Sequence, residues 1–197
     1  DVHLDLMERT ADVLGHPRPT AADLGKEYSR PFFEHLTWFF PGDQGKVVDT
    51  YMDLYQAAVW QENRLYSGVL ELLRQLKTDG YRTGILSDKR QVFGAPELEF
   101  SGLGSLVDQA LFFLDGMAPK PDPTGLQELM RSFGVAPGRC LFVGDSYRDI
   151  ECASRAGVRS GAALWASVEP ERVLALEPEF RWKRVEDVSL AMKLGRD

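Results

Sequence analysis

Residues 141–157 read LFVGDSYRDIECASRAG, an apolar triplet and a glycine followed by two carboxylates four residues apart, just where helical spacing begins. Leu141, Phe142 and Val143 suit a strand covered on both faces, Gly144 lets the chain turn, and residues 150–156 carry a helical period. Asp145 and Asp149 therefore fall at the carboxyl end of a strand, where open α/β sheets bind their ligands. Two adjacent carboxylates repel unless a cation, a proton or a basic side chain compensates them, and hard oxygens of this kind suit Mg²⁺. The same residues also fit a plain helix start, where acids and Ser146 are favoured by the helix dipole and by capping. Both readings stay open on this segment alone.

The rest of the chain has two textures. Residues 1–64 show helical spacing, punctuated by Pro17, Pro19, Pro31 and Pro41-Gly42 into helices. After them, strands and helices alternate: a helix over 69–77, a strand over 81–86, a strand at the end of 106–113, a helix over 122–133 and a strand over 141–143. A strand over 161–165, a short helix over 170–176, an edge strand over 180–185 and a terminal helix over 188–194 complete the pattern. That order predicts an α/β fold with a doubly wound parallel sheet over residues 66–197, preceded by a small all-helical module over residues 1–65.

Composition excludes several classes of function. A net charge of −7 and a pI near 5.1 argue against a general nucleic-acid binder. No apolar run approaches the ~18 residues needed to span a bilayer, and no secretion signal is visible, so no membrane partner and a cytoplasmic location are expected. Cys140 and Cys152 lack metal-site spacing and read as small core residues, and the three histidines all lie in the first quarter of the chain.

Two more polar groups follow strands. Ser87-Asp88-Lys89 sets a hydroxyl, a carboxylate and an amine after the 81–86 strand, where free backbone N–H groups could receive a phosphate; a helix cap at Ser87 or Asp88 is the alternative. Lys120 stands in Ala118-Pro119-Lys120-Pro121-Asp122-Pro123, where the prolines predict a stiff extended loop that holds a compact positive charge. Polar groups that converge on one edge of a parallel sheet make a site.

With these residues in order, the chain resembles the haloacid dehalogenase-like superfamily, in its phosphoglycolate-phosphatase-like branch. LSDK resembles the second family motif, PKPDP the lysine-bearing third, and GDSYRDIECASRAG the fourth; the helical module resembles the small cap of that family and Tyr66-Ser67-Gly68-Val69 the re-entry into its Rossmann-like core. The resemblance implies a phosphatase that passes through an aspartyl-phosphate, with Asp145 and Asp149 as the Mg²⁺ side and Ser87, Asp88 and Lys120 around the phosphoryl group. In that reading Asp149 orients either metal-bound water or Lys120. It further implies a small phosphorylated metabolite as substrate and a monomer or homodimer.

The first family motif, DxDx[TV] at the end of the first strand, is not in the 197 residues. The nearest candidate, Asp5-Leu6-Met7, has methionine where the second aspartate belongs. The expectation is a chain that begins after that strand and is inactive by itself. A catalytically inert relative that binds a phosphorylated ligand or a protein partner, and a metal-independent dehalogenase, are the alternatives. In the helical module, Arg30, Trp38 and Arg64 are candidates for contact with a leaving group, the aromatic run at 35–40 serving otherwise as that module's own core.

Overall fold

The computed structural model describes residues 2–27, 32–62, 65–113 and 117–189. They divide into two compact units, Asp1–Arg64 and Leu65–Asp197. The first is helical: α1 (Val2–Leu14), α2 (Ala21–Glu27), α3 (Phe32–Phe39) and α4 (Gln44–Glu62). Its breaks follow from local chemistry. Pro17 and Pro19 end the run from α1, and Thr20 and Asp23 then start α2 by exchanging side-chain and backbone hydrogen bonds, Asp23 N–H to Thr20 Oγ1 and Thr20 N–H to Asp23 Oδ2. Pro41-Gly42 closes α3, and Asp43 accepts the Lys46 N–H at the start of α4.

Leu6, Met7 and Ala11 of α1, Leu36 of α3, Phe40 just after it, and Val47 and Tyr51 of α4 form the core of this unit. Most of the 35–40 run is therefore packing: His35, Leu36 and Phe40 are buried, whereas Trp38 is 50% exposed.

The second unit alternates helices and strands: α5 (Val69–Thr78), β1 (Gly84–Arg90), α6 (Gln91–Phe100), β2 (Gln109–Phe113), α7 (Thr124–Phe133), β3 (Leu141–Gly144), α8 (Tyr147–Ala156), β4 (Arg159–Ala163), α9 (Pro170–Ala175) and β5 (Phe180–Trp182). Every pairing among the described strands is parallel, β1 with β2 in one sheet and β3–β4–β5 in order in another. Helices α7 and α8 supply the apolar cover: Leu126, Met130, Cys152 and Ala153 are buried, with Leu86 of β1 and Phe142 of β3 packed against them. One helical pair thus spans strands of both sheets. Burial of such side chains supplies the main driving force for the arrangement.

Three local expectations need correction. Strand β1 runs on through Ser87, Asp88 and Lys89, with regular pairing as far as Ser87 opposite Phe112 and an irregularity before Arg90; neither Ser87 nor Asp88 caps α6, whose cap residue is Arg90. Strand β4 starts two residues before the predicted 161–165. Helix α6 has no counterpart in the sequence pattern, because Gly94 and Pro96 interrupt it and its apolar residues follow no clean period. The terminal helix expected over 188–194 falls largely outside the described residues.

Gly94 shows why α6 tolerates such a residue. A Cβ built there would lie 2.2 Å from the Phe112 ring of β2, so only a bare backbone lets the helix approach the strand this closely. Gly94→Ala is expected to destabilise the protein by about 1–3 kcal/mol through overpacking, although alanine is the better helix former; a urea midpoint equal to or above wild type would show that α6 does not pack this tightly.

Candidate active site

The site grows from the turn between β3 and α8. Ser146 is the N-cap of α8, and a capping box closes on it: the Asp149 N–H donates to Ser146 Oγ, while Ser146 N–H and Oγ–H donate to Asp149 Oδ2 at 3.0 and 2.7 Å. Helix propensity thus folds Asp149 back toward the strand. Gly144 makes room for it, since a Cβ at that position would lie 2.2 Å from the Asp149 Cβ. The cap reading of this segment holds, and the same capping box turns Asp149 back toward the strand end.

Asp149 Oδ1 then accepts the Lys120 ammonium at 2.7 Å. Both side chains are nearly sealed from solvent, 14% exposed for Lys120 and 5% for Asp149. The Lys120 Nζ also lies 5.9 Å from the centre of the Phe142 ring, within cation–π range. Burial alone would lower the Lys120 pKa, yet the carboxylates of Asp149, Asp88 and Asp145 outweigh it and raise the ammonium above its ordinary value. Asp149 shows the reverse balance: burial pushes its carboxyl up, but Lys120 and the Ser146 hydrogen bonds hold it below the usual range. Asp145 has less help. Burial and the Asp149 charge raise its pKa, against smaller opposing contributions from its own backbone and from Lys120.

The loop carrying Lys120 is clamped from two sides. Asp88 Oδ1 accepts the Lys120 N–H at 3.0 Å, Arg148 Nε donates to the Lys120 carbonyl at 2.5 Å, and the Arg148 guanidinium meets Asp88 Oδ2 at 3.2 Å. Asp88 was expected beside a phosphate; its carboxylate, which offers no proton to an anion, is spent instead on fixing this loop. The loop is also not extended as read from its prolines, for Asp122 N–H bonds back to the Pro119 carbonyl and closes a turn. Sequence reasoning missed Arg148. Its signal was present: a cation in the first turn of a helix runs against the helix dipole, and calls for a partner outside the helix.

Ser87 is the last residue of β1 in regular pairing, opposite Phe112, and its Oγ accepts the Lys89 N–H at 3.1 Å. A cavity of about 10 Å³ between Ser87, Asp88, Met117, Ala118 and Lys120 gives room for one water-sized group. Lys89 turns away to Glu97 of α6 at 2.5 Å. The structure thus brings Ser87, Asp88, Lys120 and Asp149 into one neighbourhood, with Asp145 close enough to perturb Lys120. Trp38 belongs to the other unit, in a cleft of about 410 Å³ with Glu34, Thr37 and Gln44; Arg30 and Arg64 lie outside the described residues.

As for a cation, no group of three or more His, Cys, Asp or Glu side chains gathers among the described residues. The donor chemistry at Asp145 nevertheless fits Mg²⁺, an ion bound through one or two carboxylates together with water and substrate phosphate oxygens. A half-buried carboxylate whose ionised form is disfavoured gains most from such a charge.

Comparison with known proteins agrees with this architecture. Residues 2–163 match the family model of haloacid dehalogenase-like hydrolases. Among curated proteins, the chain is 26% identical over 153 residues to pyrophosphatase PpaX of Bacillus velezensis, covering 76% of this chain and 71% of the relative. It is 29% identical over 124 residues to pyrophosphatase PpaX of Listeria monocytogenes, covering 62% of this chain and 57% of the relative, so the match spans little more than half of that protein. Among solved structures, a predicted phosphoglycolate phosphatase from Haemophilus somnus superposes with a TM-score of 0.80 at 20% identity, covering 98% of this chain and 90% of that one. The fold is a parallel α/β unit in which Ser87, Asp88, Lys120 and Asp149 gather on one side. The chain belongs to the haloacid dehalogenase-like hydrolase family, and these two curated relatives are named pyrophosphatases. No helix among the described residues is long and apolar enough to cross a membrane.

The pH dependence of the ion pair has a definite sign. The folded pKa of Asp149 is depressed, so its contribution is complete above the unfolded value of ~3.9 and is lost as pH falls through the folded value; that of Lys120 is raised, so its contribution is complete below ~10.4 and is lost only as pH rises beyond. Lys120→Met is expected to cost about 3–5 kcal/mol near neutral pH by leaving Asp149 buried without its cation. Adding Asp149→Asn should restore part of that loss and reduce the fall in stability below about pH 4. Chemical denaturation across pH checks both, and a double variant as acid-sensitive as wild type would remove the pair from the account.

Proposed function

We propose that the complete protein is a Mg²⁺-dependent phosphatase acting on a small phosphorylated metabolite. In this reading residues 1–65 form a cap that gates access and selects the leaving group, and residues 66–197 form the core that carries the chemistry. The observation that supports it best is the Lys120 ammonium, held by Asp149 and by its own clamped backbone beside Asp145 and Ser87. Such a group balances charge on a transferring phosphoryl without moving, and positioning with electrostatic stabilisation makes up most of phosphoryl-transfer catalysis. The name pyrophosphatase, carried by the matched relatives, supports a small phosphorylated substrate.

Each residue has a defined part in this proposal. Ser87, with nearby backbone N–H groups, donates to the phosphoryl oxygens; Lys120 neutralises them; Asp149 fixes Lys120; Asp88 and Arg148 fix the loop. Asp145 would hold Mg²⁺, which when bound supplies positive charge opposite the phosphate. The nucleophile in this proposal is a carboxylate of the DxDx[TV] pattern, which the 197 residues do not contain. Its oxygen attacks phosphorus as the leaving-group oxygen departs, and water then hydrolyses the aspartyl-phosphate, so one difficult displacement becomes two easier ones.

The experiment compares two polypeptides on p-nitrophenyl phosphate with Mg²⁺. The 197 residues alone should show no turnover, whereas a chain extended by a strand carrying DxDx[TV] should be active, and Asp145→Asn should lower that activity by at least ~10²-fold. Turnover by the 197 residues, abolished by Asp145→Asn, would refute the need for a DxDx[TV] carboxylate. An inactive extended protein across a panel of phosphate esters and pyrophosphate would favour a ligand-binding relative instead.

A further inference from the structure

The helical unit holds two imidazoles in an arrangement that its packing role does not require. His3 near the start of α1 and His35 of α3 face each other through Nε2 at 3.4 Å, with ring centroids 5.3 Å apart. As a hydrogen bond this contact is poor, because N–H donors ordinarily meet their acceptors at ~2.7–3.2 Å and a collinear N–H···N contact of this length would place the centroids about 5.7 Å apart. Two imidazoles on one tetrahedral ion obey different arithmetic. With Nε2–metal bonds of about 2.05 Å, the nitrogens lie about 3.3–3.4 Å apart and the centroids, each about 1.15 Å behind its nitrogen, about 5.2–5.3 Å apart. Both observed separations match that geometry.

The surroundings favour the same role. Binding through Nε2 requires the proton of His3 on Nδ1, and Tyr51 Oη lies 3.0 Å from Nδ1, placed to accept it. A partner of this kind fixes the tautomer and ring direction of a ligating histidine. His35 is held against the Phe39 ring and is only 4% exposed, while His3 is half-buried. From these observations we infer that His3 and His35 form a binding site for a transition-metal ion, Zn²⁺ or Cu²⁺ by donor type, that links α1 to α3. Two imidazoles select such ions over Mg²⁺, which prefers oxygen. Among the described residues no third His, Cys, Asp or Glu gathers with them. The site goes beyond the proposed phosphatase chemistry and does not depend on it.

The test is calorimetric titration of the full, untagged chain with Zn²⁺ in excess Mg²⁺. One ion per chain is expected, with at least tenfold weaker binding for His3→Gln and for His35→Gln and about tenfold for Tyr51→Phe, as second-shell losses usually run. The third histidine serves as control, and His16→Gln should bind as wild type does. Asp145→Asn should also bind unchanged, which separates failure of this site from failure of the phosphatase reading. Should His35→Gln unfold the unit, Cu²⁺ electron paramagnetic resonance on the wild type decides: hyperfine splitting from two equivalent nitrogens is expected. A spectrum with one nitrogen or none, no Zn²⁺ binding, or binding unaffected by His3→Gln would each overturn the inference.

Discussion

The contact between Lys120 and Asp149 orders the rest of the site. It joins the loop after β2 to the first turn of α8, two segments that the sequence separates by 29 positions, and it does so where water barely reaches. Buried ion pairs of this kind add little net stability over a well-packed apolar pair, because desolvation consumes most of the Coulombic gain. Their value is positional. Asp149 is already committed to the Ser146 capping box, and Lys120 is pinned through its backbone by Asp88 and Arg148, so neither end of the pair can drift. An ammonium held this way is preorganised for an anion.

The same economy appears in the glycines. Gly144 lets Asp149 fold back over the strand end, and Gly94 lets α6 lie against β2; in both places a single methyl group would meet its neighbour at 2.2 Å. Sheet, helix and site are therefore coupled through backbone approach as much as through side-chain contact. The burial of Leu126, Met130 and Cys152 beneath Leu86 and Phe142 keeps β1 and β3, which carry Ser87 and lead into Asp145, under one helical pair.

Much of this was legible from residue order. Alternating strand and helix spacing after residue 66 announced a parallel α/β unit, and GDSYRDI announced a strand end rich in carboxylates, because both signals are local. What escaped was set by tertiary contact. Helix α6 hides behind Gly94 and Pro96, whose presence makes sense only against β2. The Asp88 carboxylate reads as part of a phosphate loop until Lys120 and Arg148 are seen to claim it. Arg148 is an intermediate case, since a cation in the first turn of a helix is an anomaly that residue order shows while its partners Asp88 and the Lys120 carbonyl are set by the fold. Trp38 and the histidines illustrate the opposite limit: a one-dimensional pattern cannot separate the aromatics that build a core from those that face out of it, nor bring His3 to His35 across 32 positions.

The central claim is that carboxylates around Lys120 defeat the cost of burying it, so that a fixed positive charge stands at the strand ends at every physiological pH. Nitrogen-detected NMR titration of the Lys120 ammonium measures this directly. The account predicts a pKa above the ordinary lysine value in wild type and a marked fall in Asp149→Asn, where burial acts with one carboxylate fewer opposing it. A wild-type pKa below the ordinary value, or one that Asp149→Asn leaves unchanged, would contradict it.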